Sequence, residues 1–181
     1  MRRIRILIPV VVLLVIVGIT AQAQNKYIGV KQCSMCHKTE KQGKQSDIWQ
    51  KSAHANAYKT LATDKAKEVA KAKGITKAAP EAAECLDCHA KPVDAKLADK
   101  GYDMKDGVQC ETCHGAGSAF KTMSVMKDKA KAVAAGLREF KDNAAIEAHC
   151  KTCHNDKSPT FKGFKFDEMW GKIKHPVPKA G

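Results

Sequence analysis

The sequence predicts a small, mainly α-helical protein with long connecting loops and little or no β-sheet. Strand-type alternation is almost absent along the chain. Stretches rich in Ala and Lys, such as Asp64 to Lys73 and Val125 to Leu137, carry helix-forming residues without an internal Pro. Gly and Pro fall between them, at Gly74, Pro80, Pro92, Gly101, Gly107, Gly115 and Gly117.

The elements follow in order. Arg2, Arg3 and Arg5 precede an apolar run from Ile6 to Thr20, and Ala21-Gln22-Ala23 forms a small-x-small site. That pattern is a secretory signal peptide, residues 1–23, and implies a periplasmic mature protein of residues 24–181. Association with a membrane is expected only if the segment stays uncleaved. Next, Asp47 to Thr63 is expected to be one helix with Ser46 as its N-cap, and Asp64 to Lys73 a second that stops at Gly74. Pro80 can open a short helix ahead of Cys85, and Gly101 and Gly107 mark a loop. Val125 to Leu137 is expected to be helical. Asp142 or Asn143 can cap a helix that runs into Cys150, and Phe166 to Lys174 forms a last short one.

Composition poses a problem for this fold. Residues 24–181 contain only 21 Val, Ile, Leu and Phe, about 13%, at a net charge of +10. A chain that poor in large hydrophobes is expected to be disordered unless something else fills its core. The cysteines supply an answer. All eight fall in four copies of one motif: Cys33-Ser34-Met35-Cys36-His37, Cys85-Leu86-Asp87-Cys88-His89, Cys110-Glu111-Thr112-Cys113-His114 and Cys150-Lys151-Thr152-Cys153-His154. Cys-x-x-Cys-His is the attachment site of c-type haem, with two thiols for the porphyrin vinyls and a histidine for the iron.

Competing chemistries explain less. Four disulfides give no reason for a His after every second Cys. Structural zinc pools its ligands, whereas each pair here has its own His. Thioredoxin-like redox motifs need a βαβ setting. The expectation is therefore a tetrahaem cytochrome with four covalent haem c groups. Their propionates and irons bring the holoprotein to about +6 oxidised and about +2 reduced, which removes the main support for a nucleic-acid partner.

Four irons present eight axial positions, and the chain has seven His. His37, His89, His114 and His154 are the proximal set. His54, on a stretch with small neighbours, and His175, before Pro176, are expected to be distal ligands. His149 directly precedes Cys150. Ligation of another haem and a hydrogen bond to a propionate are equally open to it.

Three segments carry a family resemblance: Trp49-Gln50-Lys51-Ser52-Ala53-His54-Ala55, Cys110 to Ser118 and Phe164-Lys165-Phe166-Asp167-Glu168-Met169. In these, and in the order of its motifs, the chain resembles the cytochrome c-554 family of periplasmic tetrahaem electron carriers. The resemblance implies electron transfer between redox proteins, among them a hydroxylamine-oxidoreductase-like donor. It also implies three bis-histidine haems and a five-coordinate second haem, at His89. Carried over, His54 matches the distal ligand of the fourth haem and His175 that of the third. The family's His for the first haem is missing, since that segment reads Phe120-Lys121-Thr122-Met123-Ser124-Val125-Met126. Met123, Met126, His149 or no side chain is left for that position. A reductase of nitric oxide or nitrite, a ligand sensor at an open haem, and a subunit of an electron-conducting assembly are the alternative functions.

Overall fold

The computed structural model describes residues 24–177, so the signal-peptide expectation for residues 1–23 lies outside the described residues. Among these, ten short α-helices follow one another: α1 (Val30–His37), α2 (Gln45–Gln50), α3 (Ala57–Thr60), α4 (Asp64–Ala72), α5 (Ala83–His89), α6 (Cys110–His114), α7 (Met123–Met126), α8 (Lys129–Ala134), α9 (Asn143–Cys150) and α10 (Phe166–Ile173). The fold is mainly α, as its sequence predicts. Extended pairing among the described residues is limited to one isolated parallel bridge between Tyr27 and Ala98.

Two expected helices are broken, each for a local reason. The stretch from Asp47 to Thr63 divides into α2, a 3-10 turn at His54–Asn56, and α3. Ser52 Oγ donates to the Trp49 carbonyl at 2.7 Å, the local bond by which serine competes with helix continuation. Tertiary bonds hold the break open. Trp49 Nε1 donates to the Val108 carbonyl at 2.8 Å, and Val108 N donates to the His54 carbonyl at 3.0 Å. Ser46 is not a cap: it lies within α2, buried, with its hydroxyl 2.7 Å from that of Ser34. Val125 to Leu137 likewise divides into α7 and α8, because Asp128 leaves the helix and its side chain accepts from Lys131 N.

Other boundaries have clear causes. Thr63 caps α4 through Ala66 N, and Asp142 caps α9 through Ala145 N at 2.8 Å. Pro80 opens a 3-10 turn, Ala79–Glu81, that is separate from α5.

The packed interior is small. Eleven apolar residues are buried, and five of these are alanines. Leu61, Ala70, Ala79, Leu86 and Ala90 form one cluster around α5, with Tyr58, Ile75 and Met104 packed against it. Ile28, Val30, Val108 and Phe120 lie buried elsewhere in the chain. No described helix is long and apolar enough to cross a membrane.

Candidate haem-binding sites

Each Cys-x-x-Cys-His motif ends a helix. The first three lie wholly within α1, α5 and α6, while Cys150 closes α9 and Cys153 and His154 occupy the turn after it. On a helix, residues three and four apart share a face, so both thiols and the histidine of a motif project to one side. None of the eight cysteines is in a disulfide.

Tertiary packing brings the motifs together. Cys33 lies beside Cys110, and that proximity lifts the former's pKa and depresses the latter's. Cys88, whose pKa burial pushes up to about 11, adjoins Cys153. Cys113, also raised to about 11 chiefly by burial, faces Cys150. Motif one therefore neighbours motif three, three neighbours four, and four neighbours two.

The histidines form opposed pairs. His54 and His154 have ring centroids 6.1 Å apart with planes at 49°. His114 and His175 are 5.7 Å apart with planes at 42°. Two imidazoles on opposite sides of one metal, each nitrogen about 2 Å from it, have centroids about 6 Å apart. A ligating imidazole must also be neutral. Burial first, then the neighbouring His175, drives the His114 pKa down to about 4, and burial lowers that of His54. Among the described residues no group of three or more Cys, His, Asp or Glu side chains converges on one point. Opposed pairs with a helix-borne thiol pair beside them fit haem c, whereas a pooled structural zinc site does not form.

The remaining histidines are held differently. His89 Nδ1 lies 2.9 Å from the Ala57 carbonyl and 3.1 Å from Thr60 Oγ1, which leaves Nε2 as the free nitrogen. His37 Nδ1 lies 3.3 Å from Gln45 Oε1. His149 packs on Phe140, with centroids 5.3 Å apart; its pKa is lowered by burial and then by Arg138. Met123 is 65% exposed and Met126 is half-buried, both on α7.

Several supporting residues were not singled out by sequence reasoning. Arg138, the sole arginine of residues 24–181, donates from Nη1 to the Thr112 and Cys113 carbonyls at 3.0 and 3.1 Å, closing the end of α6. Phe164 stacks on His154 at 4.9 Å and 21°. Gln45 and Thr60 steady the proximal rings. A lone Arg is the only sequence signal among these, since the other partners meet across the fold.

The family model for cytochrome c554 and c-prime matches residues 32–115. Cytochrome c-554 of Nitrosomonas europaea is 29% identical over 187 aligned positions, covering 87% of this chain and 77% of that protein. Both likenesses support an assignment to the cytochrome c-554 family. The likeness is to haem c electron-transfer proteins, whose partners are redox proteins. No solved structure matches it.

Proposed function

We propose that this protein is a periplasmic tetrahaem cytochrome of the c-554 type, in which electrons cross the molecule in the order first, third, fourth, second haem, or the reverse. The observation that carries this reading is the adjacency of the four motifs, read from the thiol neighbours Cys33 with Cys110, Cys113 with Cys150, and Cys88 with Cys153. Residues 1–23 act as the export signal. Cys33, Cys36, Cys85, Cys88, Cys110, Cys113, Cys150 and Cys153 attach the haems, and His37, His89, His114 and His154 are the proximal ligands. His54 closes the fourth site opposite His154, and His175 closes the third opposite His114. Haem c supplies one-electron exchange between ferric and ferrous iron. The chain's own residues set the spacing, keep the ligating rings neutral and orient them through Nδ1 partners. The donor is a hydroxylamine-oxidoreductase-like enzyme. Intact mass of the exported protein is expected to equal residues 24–181 plus four haems, with haem stain surviving denaturing electrophoresis. Haem released by acid-acetone, or a mass short of four, would sink the reading. Reduction of the purified protein by a hydroxylamine-oxidising enzyme tests the donor, and no reduction would exclude it.

The second haem is proposed to be open on its outer side. His89 is held through Nδ1 by Ala57 and Thr60, and the cluster around α5 is apolar, with Met104 packed against it. Such a site would also suit the second reading, a small-ligand reductase or sensor. Ferrous protein is expected to bind carbon monoxide rapidly at one or two of its four haems. Since His149 packs on Phe140 near α6, His149→Ala should leave that number unchanged. Binding at none or at all four would refute the open-site assignment.

A further inference from the structure

We propose that Glu111 is a positioning and potential-setting residue: with Gln109 it clamps the first Cys-x-x-Cys-His helix to the third, and its buried charge holds both haems at lower potential. The inference rests on the haem reading above and goes beyond it by assigning a role to residues between and beside the cysteines.

The geometry is specific. Glu111 lies between Cys110 and Cys113 and is only 3% exposed. Its Oε1 accepts from Ile28 N at 2.9 Å and Gly117 N at 2.7 Å, and its Oε2 accepts from Gly29 N at 2.8 Å. Gln109, also 3% exposed, accepts on Oε1 from Val30 N at 2.8 Å and donates from Nε2 to the Asp103 carbonyl at 2.8 Å. Three successive N–H groups at the start of α1 are thus bound by the two side chains that bracket Cys110. Gly29, which precedes α1, makes no side-chain cap of its own. Orphan donors at a helix start need acceptors, and here those come from the other haem-bearing helix.

The surrounding residues suit this clamp. Gly29 has φ 84°, and a Cβ there would collide with the Gly101 carbonyl. A Cβ on Gly117 would lie 2.9 Å from Ile28 Cδ1 and 3.0 Å from Glu111 Oε1. Gly29 tolerates no side chain, and one at Gly117 would have to displace the end of Ile28. Cys33 and Cys110, one on each clamped helix, lie beside each other.

The hydrogen bonds of Glu111 among the described residues are all accepted from backbone N–H groups, the pattern of a carboxylate. Burying such a charge without a cation is costly. Oxidised haem iron carries a net positive charge that reduction by one electron removes. A fixed negative charge in a medium of low dielectric constant therefore favours the ferric form at the two nearest irons.

Potentiometric titration of the holoprotein, followed by EPR and absorbance, tests this. Glu111→Gln is expected to raise two of the four potentials, each by about tenfold in the ferrous-to-ferric ratio, or about 59 mV for a one-electron couple. The other two should not move. Gln109→Ala keeps the charge and loosens the clamp, so its melting temperature should fall while all four potentials hold. Glu111→Asp, too short to span Gly29 and Gly117 together, should behave like Gln109→Ala. Unmoved potentials in a fully loaded Glu111→Gln protein would overturn the charge role, and an unchanged melting temperature in Gln109→Ala would overturn the clamp. Should Glu111→Gln not mature, potentials that shift in Glu111→Asp and Gln109→Ala alike would show that packing, not charge, sets them. Wild-type haem mass is read first: no haem on the first and third motifs overturns the haem reading and this proposal together.

Discussion

Made without haem attachment, the chain is expected to be largely unfolded, with weak helical circular dichroism and no cooperative thermal transition. The loaded protein should melt in one sharp step. The reason lies in the elements themselves. The longest described helix, α4, has nine residues, and α3 and α7 have four each. Isolated helices below about 12–15 residues are marginal in water, so these depend on tertiary packing. Yet the buried apolar side chains number eleven, five of them alanines, which is little to offset the conformational entropy of the chain. Binding that occurs only in the folded state adds directly to folding stability, and the four proposed haems would supply the missing contacts. Replacing both cysteines of every motif and recording the spectrum checks this. Native helicity and a sharp melt in that variant would show that the polypeptide folds by itself.

His54→Ala and His175→Ala should each convert one low-spin iron to high-spin while leaving covalent haem attachment intact. The paired rings, 6.1 Å and 5.7 Å apart, leave room for one metal between each couple. Loss of an imidazole donor also raises the potential of that haem, because the ferric state loses its stronger ligand. The backbone at His54 is anchored by Val108 N on its carbonyl, a bond that alanine retains, so the fold should persist. His175 lies just past α10, and Gln45 Nε2 donates to the Pro176 carbonyl at 3.0 Å, which keeps the segment in place without the ring. EPR of the oxidised variants reads both outcomes. Spectra identical to wild type in the two variants would remove His54 and His175 from the ligand set.

Much of the candidate site was legible because its chemistry is written in short-range spacing. Two thiols and a His within five residues need only a turn of helix to face one way, and that is a local property. The helical class was legible for a similar reason, from Ala- and Lys-rich stretches with Gly and Pro between them. Helix boundaries were less so. The break after α2 depends on Trp49 reaching Val108, fifty-nine residues away, and no local pattern announces such a bond. Asp128 as a cap inside an otherwise helical stretch was visible in principle, and the Ala-rich run around it outweighed that signal.

By itself the sequence determined the helical class and the motifs, because each rests on residue type at fixed local spacing. The tertiary structure alone decided which histidine faces which, that motif one meets motif three, and that Gln109 and Glu111 bind the start of α1. Those relations join residues about eighty or a hundred positions apart, as in Glu111 with Gly29 and His54 with His154. Closing loops of that length is governed by the packing of the whole chain, and no window of neighbouring residues encodes it.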